Sequence, residues 1–466
     1  MQILNTRMIS NTESKETNKQ VSSQNVDTST ENTIGETEFN RENINKLGNL
    51  VRITDTDESS GLELLCYTRC GPEDSKILRN CRGVVFKDDT IVMNAFPYTL
   101  EYSSFDKDNI NKNISPVFNE CSFYDAYEGA LIRMFHHADK WYISTHRKLN
   151  AFRSKWASRE SFGTCFKRAL EAEIETNEEL RCVIPDSDDG LLERFQKTLN
   201  PEKQYMFLVR HTEENRIVSF APEKPKLYHV GTFSDGVLTM DEDVKIPYPK
   251  KHTFDKLEDL VSYVDSVDIR ELQGVICFAP DNTQYKVLNP KYQELFKARG
   301  NEPSIKFRYL QVRMNRRHVN MLFELYPKWE STFDEIENNL YDVAKNIYTS
   351  YVQRFIKKKF VTVPVEEFIV IKQCHTWHES DRACNRISLE KVIEVMNNQT
   401  PTSLNRMLRR LKNEKIEKVK NQIDVKQRVR SNTISSNNSP VIKGISVKSP
   451  LLLSQSNKTI PEFSKI

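Results

Sequence analysis

The stretch from Tyr124 to Trp156 constrains the fold most. Glu128-Gly129 leads into an apolar run over 130–135 that Arg133 interrupts, and the chain resumes as WYISTHRKLNAFRSKW from Trp141. Two strand-like runs about His136-His137-Ala138-Asp139 read as a hairpin within residues 122–148. The second run sets Arg147, Lys148, Arg153 and Lys155 among Trp141, Tyr142, Phe152 and Trp156. Cations interleaved with aromatics suit a packed core with solvated strand ends, or a surface that stacks bases and holds phosphates. The residues alone leave both open.

Similar runs recur on either side. Residues 62–67 are apolar between turn formers. Cys81-Arg82-Gly83-Val84-Val85-Phe86 and Thr90-Ile91-Val92-Met93 read as strands joined by Lys87-Asp88-Asp89. Residues 205–209 and 217–220 read as strands about a turn at 212–215, and 227–232 as another. A last hairpin joins 274–278 to 285–288 through Asp281-Asn282-Thr283. Residues 149–200 are helical in composition, with Phe162, Phe166, Leu170 and Ile174 at fourfold spacing. Residues 255–264 read as a helix.

From about Arg316 the pattern changes. Residues 331–359 lack Gly and Pro and place Phe333, Ile336, Leu340, Val343, Ile347 and Tyr351 on one helical face. Further helices follow near 365–374, 388–397 and 403–421. The two ends are rich in polar residues and too poor in apolar ones to offset the entropy of ordering. The expected organisation is a disordered tail over 1–42, an α+β domain over 43–315, a helical C-terminal domain over 316–425, and a second disordered tail over 426–466.

Five pieces, in order and spacing, resemble the phage-type ATP-dependent RNA ligases of the lysine nucleotidyltransferase superfamily, over roughly residues 80–300. The strand of Arg82-Gly83 comes first, then Ala126-Tyr127-Glu128-Gly129 in place of Lys-x-Asp-Gly. Tyr205-Met206-Phe207-Leu208-Val209 with Asn215-Arg216-Ile217-Val218 follows, then Gln273-Gly274-Val275 and Tyr285-Lys286-Val287-Leu288. The resemblance implies an α+β fold whose nucleotidyltransferase-like (ATP-grasp-like ligase) domain is built of antiparallel sheets, with a helical appendage. It also implies that Glu128, Met206, Gln273 and Lys286 converge on one cleft.

In that family a lysine attacks the nucleotide α-phosphate. Alanine at 126 has no lone pair to offer. Met206 stands where a glutamate would accept ribose hydroxyls, Gln273 where a second glutamate would hold Mg²⁺, and Leu288 where a second lysine would sit. Four such changes imply a ligase fold without ligase chemistry, with no catalytic residue. ATP and Mg²⁺ enter only if a ligase-like activity survives. The residues implied for nucleotide or RNA binding are Arg82, Glu128, Gly129, Arg133, Arg147, Lys148, Arg216, Gln273 and Lys286. The enzyme alternative is an active RNA ligase with a displaced lysine, Lys148 or Lys286. The third reading is a protein–protein scaffold that uses the C-terminal helices.

The net charge of +3 is too small to imply a nucleic-acid partner, but its distribution is uneven. Residues 304–318 contain Lys306, Arg308, Arg313, Arg316 and Arg317 with no acid, and 404–430 hold ten Lys or Arg against three acids. Such runs serve as solvated faces or as nucleic-acid surfaces. Cys374, His375, His378 and Cys384 match no common zinc spacing. The nine cysteines show no disulfide framework, and no apolar run is long enough to span a bilayer. These features lead us to expect an intracellular protein with no membrane partner. A fainter resemblance to RNA-ligase-like proteins of large DNA viruses implies a viral protein in the host cytoplasm.

Overall fold

A computed structural model describes residues 38–210, 216–240 and 244–435. The expected turn at 212–215 and most of both expected tails lie outside them.

Among the described residues, fourteen strands form three sheets. The first contains β1 (Val51–Asp57), β2 (Leu62–Tyr67), β3 (Arg82–Lys87) and β4 (Thr90–Met93), in chain order. The remaining strands are β5 (Leu100–Ser103), β6 (Ser122–Ala126), β7 (Ala130–His137), β8 (Lys140–Ser144), β9 (Gln204–Arg210), β10 (Lys226–Ser234), β11 (Val237–Thr239), β12 (Lys251–His252), β13 (Gly274–Phe278) and β14 (Gln284–Leu288). The second sheet runs β11-β10-β9-β7-β8, and the third β12-β6-β13-β14-β5. Pairing is antiparallel except between β14 and β5, so the third sheet is mixed rather than purely antiparallel.

The hairpin expected within 122–148 is β7 with β8. Ala138 and Asp139 both take positive φ, 48° and 57°, as a two-residue turn matched to strand twist requires. β6, expected in the same hairpin, pairs with β13 in the third sheet. Residues 217–220, expected as a strand, form none.

Alternation along β9 explains the layering. Tyr205, Phe207 and Val209 face one side and pack with Phe166, Leu170 and Phe195. Met206 faces the other and packs with Leu62, Leu64 and Val85 of the first sheet. The second sheet is therefore covered on one side by α4 (Phe162–Thr176), α5 (Glu178–Val183) and α6 (Leu191–Gln196), and on the other by the first sheet. The short helices α1 (Arg41–Asn45), α2 (Lys76–Asn80) and α3 (Lys107–Asn113) precede these. Ile110 of α3, with Leu260 and Val264 of α7 (Leu257–Ser266), covers one face of the third sheet.

The helices that follow are α8 (Pro290–Arg299), α9 (Ile305–Val312), α10 (Arg316–Leu325), α11 (Glu330–Tyr351), α12 (Val365–Ser380), α13 (Leu389–Asn397) and α14 (Pro401–Ser435). Asn289 caps α8 by accepting from the amides of Lys291 and Tyr292, and Pro290 opens it. The helix expected over 331–359 ends at Tyr351, followed by one wide turn over 352–356, and Lys358 has a φ of 55°. Residues up to Arg406 form one compact unit that holds all three sheets and α1–α13. The described residues from Met407 belong to a second, helical over 407–435, so positions 426–435 of the expected tail are helix.

Candidate functional site

Two glycines set the strand approaches around the site. Gly274 has a φ of 147°, and a Cβ there would lie 2.0 Å from the Val287 carbonyl oxygen. Gly83 has a φ of 95°, and its Cβ would lie 2.7 Å from the His146 backbone. Neither position accepts a larger residue without moving backbone.

Ala126, 3% exposed, ends β6 opposite Gly274, and its carbonyl accepts from the Gln273 amide at 2.8 Å. Beyond it, Tyr127 stacks on Tyr228 with ring centroids 4.7 Å apart, and the Arg210 guanidinium lies over Tyr127 at 4.9 Å. Glu128 then turns toward residues 217–219. Its carboxylate accepts from the backbone amides of Ile217, Val218 at 2.9 Å and Ser219 at 3.1 Å, and from the Tyr292 hydroxyl at 3.0 Å. This is why 217–220 is not a strand: the amides of 217–219 are satisfied by a carboxylate, and only the Phe220 amide reaches a backbone carbonyl, that of Arg270 at 2.6 Å. Burial and then the Glu128 charge push the Tyr292 phenol well above its ordinary range, so it serves as a donor.

Tyr292 also faces the next pair. Lys286 Nζ donates to Gln273 Oε1 at 3.2 Å and lies 3.5 Å from Glu101 Oε1. Gln273, Lys286, Leu288 and Tyr292 help to wall a cavity of about 650 Å³ at β5, α3 and α8. Arg79, Lys112 and Lys297 add positive charge to its rim, opposed by Glu73, Glu101 and Asp106. The structure therefore brings Glu128, Gln273 and Lys286 together through Tyr292.

It does not bring Met206 to them. Met206 is fully buried in the apolar layer between the first two sheets. Arg133, directly opposite it on β7, is 1% exposed and donates to the carbonyls of Gly83 and Thr145, the latter at 2.7 Å. Arg216 is 7% exposed, donates to the carbonyls of Val218 and Leu325, and lies over the Tyr326 ring at 4.7 Å. Both arginines were expected to bind nucleotide or RNA; both tie strands and loops together from within. Lys148 reaches Asp55 of β1 at 3.3 Å. Gly129 is exposed at the start of β7.

Arg82 donates to the Pro97 carbonyl and the Thr99 hydroxyl, each at 3.3 Å. Together with Arg133 and Arg147 it surrounds His146. Confinement among protein atoms, then these three charges, pushes the His146 imidazole down to about 4. A histidine whose folded value is depressed binds fewer protons than the unfolded chain, so stability is lost as pH falls below the ordinary value of about 6.5. His146→Gln is therefore expected to lose less stability than the parent between pH 7 and pH 5. Urea midpoints at the two pH values test this; equal losses would remove His146 from the acid response.

Of the interleaved aromatics, Trp141 and Tyr142 pack in the core, Phe152 is 40% exposed, and Trp156 lies under the Arg299 guanidinium at 5.7 Å. Tyr292, Glu101 and Tyr326 were not anticipated from the sequence. For Tyr292 the available signal was Asn289-Pro290, a helix start that fixes where the first turn points.

No family model matches the chain. It is 29% identical over 347 residues to an immediate-early protein ICP-46 homolog of Invertebrate iridescent virus 3, covering 71% of this chain and 73% of that protein. It is 23% identical over 315 residues to the immediate-early protein ICP-46 of Frog virus 3, covering 64% and 74%. Among solved structures it is similar to an archaeal ATP-dependent RNA ligase, 13% identical with a TM-score of 0.37, covering 64% and 78%.

Proposed function

We propose that this chain is a ligase-fold protein that binds RNA or a nucleotide without forming the lysine–nucleotide bond. One observation carries the reading: Ala126 ends β6 beside Gln273, and the two lysines named as substitutes each face an acid. An ordinary lysine is an ammonium at neutral pH, and it becomes a nucleophile when burial or nearby cations favour the free amine. Lys148 is tied to Asp55, and Lys286 to Gln273 and Glu101. The cavity beside Lys286 supplies the binding half of the reading. Its cations would hold phosphates, and its acids would limit affinity to ligands that fit the spacing. The viral relatives support a viral setting, with the host cytoplasm as the compartment of this reading.

The test uses radiolabelled ATP or GTP with magnesium, followed by RNA retention across a salt series on the same preparation. The expected results are no covalent adduct, and RNA retention that weakens with added salt by roughly 0.7 logarithmic units per decade of salt for each phosphate contact. Lys286→Ala combined with Lys297→Ala should flatten that slope by about one to two units. A stoichiometric adduct on any lysine would establish the active-ligase alternative. Salt-insensitive retention unaffected by the double substitution would leave the scaffold reading.

A further inference from the structure

A second and larger cavity, about 880 Å³, is lined by Arg216 of the motif pieces but by none of Glu128, Gln273 and Lys286, and lies between the loop after Arg216, the end of α8 and the α10–α11 connection. Its volume falls within the range of roughly 300–1,000 Å³ typical of small-molecule sites. Three features define its chemistry. Arg299, 2% exposed, lines it and donates to the Tyr326 hydroxyl at 2.8 Å and to the carbonyls of Gly300 and Glu302. Among the described residues none of its partners is a carboxylate. A guanidinium whose direct partners are neutral dipoles is not neutralised by a contacting carboxylate.

At the mouth stand Lys306 and Lys328, both exposed and, among the described residues, neither paired with an acid. Glu324 is the one acid lining the cavity among the described residues, and it lies 3.6 Å from Lys291. The walls between these charges are aromatic. Trp329 carries the Lys306 ammonium 5.7 Å from its ring centroid, Tyr326 closes the floor, and Phe220 is 53% exposed. Cations in excess of the single acid, which Lys291 faces, call for an anion, and aromatic walls beside them call for a planar ring.

We propose that this cavity binds a nucleoside phosphate, either free or as the terminal nucleotide of a single strand. The phosphate sits between Lys306, Lys328 and Arg299, and the base lies against Trp329 and Phe220. Base–aromatic stacking next to a cationic groove is sequence-tolerant, because every base presents a flat face. The site is distinct from the cleft at Lys286 and does not depend on it.

The experiment photolyses the full-length chain with azido-AMP and maps the labelled peptides by mass spectrometry. Label is expected within residues 324–329 or at Phe220; label confined to 284–297 would belong to the cleft and overturn the proposal. AMP should displace the label, and adenosine and inorganic phosphate should each do so far less well. Equal competition by adenosine would exclude a phosphate site, and equal competition by inorganic phosphate would exclude base contact. A single-stranded RNA with a terminal phosphate that competes below the AMP concentration assigns the strand end; competition by AMP alone assigns the free nucleotide. Lys306→Ala with Lys328→Ala, both surface changes, should weaken AMP binding about tenfold, the loss of roughly one charge-assisted contact. Unchanged labelling in that variant would refute the site without requiring the riskier Arg299 substitution.

Discussion

Replacing Glu128 with alanine is expected to remove about 4 kcal/mol of folding free energy. The carboxylate accepts from three consecutive backbone amides, those of Ile217, Val218 and Ser219, and from the Tyr292 hydroxyl. Alanine leaves all four donors without an acceptor, and each orphaned donor costs about 1–3 kcal/mol when water does not replace the partner. Partial access to water keeps the sum below the simple total. Glu128→Gln should lose roughly half as much, because one amide oxygen remains while the NH₂ group opposes a donor. Urea unfolding of the two variants beside the parent decides it. An alanine variant within about 1 kcal/mol of the parent would show that water takes over the amides, and Glu128 would then be free for a ligand.

Arg133→Ala is expected to cost a similar amount, about 3–4 kcal/mol, for a different reason. The side chain fills the buried layer opposite Met206 and supplies donors to the Gly83 and Thr145 carbonyls. Truncation opens a cavity and strands both carbonyls. Yet the charge is not comfortable there: burial pushes the guanidinium down to about 9, and its Nε has no partner among the described residues. Arg133→Met keeps most of the volume and relieves the desolvation cost, so it should be milder by about 1–2 kcal/mol. If alanine and methionine unfold at the same urea concentration, packing plays no part and the hydrogen bonds account for the whole loss. A second readout separates structure from binding. RNA retention by the folded methionine variant should match the parent, because Arg133 is 1% exposed and offers nothing to a phosphate.

The sequence announced the strands whose neighbours lie close by. β3 and β4 follow from alternation about Lys87-Asp88-Asp89, and β13 and β14 from the run about Asp281-Asn282-Thr283, because short-range turn chemistry fixes each register. Residues 217–220 misled for a physical reason. Ile217-Val218 has strand composition, but the partner of its amides is a carboxylate 89 and 90 residues earlier, which no local pattern encodes. Met206 shows a second limit. Alternation separates it from Tyr205 and Phe207, but it cannot tell whether its face meets a cleft or another sheet; here the first sheet covers it. Arg133 and Arg216 follow the same logic. An arginine inside an apolar run signals something unusual, and only the tertiary structure distinguishes an internal tie from a phosphate ligand. Gln273 and Lys286 meet because Gln273 immediately precedes β13 and Lys286 lies on its antiparallel neighbour β14, opposite Ile276, from where the long lysine side chain reaches the Gln273 amide oxygen.

The mixed third sheet has a consequence for the order in which the chain can be assembled. Its strands come from two distant parts of the sequence, β5 and β6 before residue 127 and β12, β13 and β14 after residue 250. β5 joins the sheet only through its parallel pairing with β14, with Leu100 opposite Tyr285. On a ribosome, β5 and β6 therefore emerge more than a hundred residues ahead of their partners, with open edges and an apolar face, while every strand of the intervening second sheet has been made before β12. Slow, long-range closure of this kind is the stage at which a nascent chain is most exposed to mispairing. Because β13 and β14 hold Gln273 and Lys286 in place, the cleft is among the last parts of this protein to take shape.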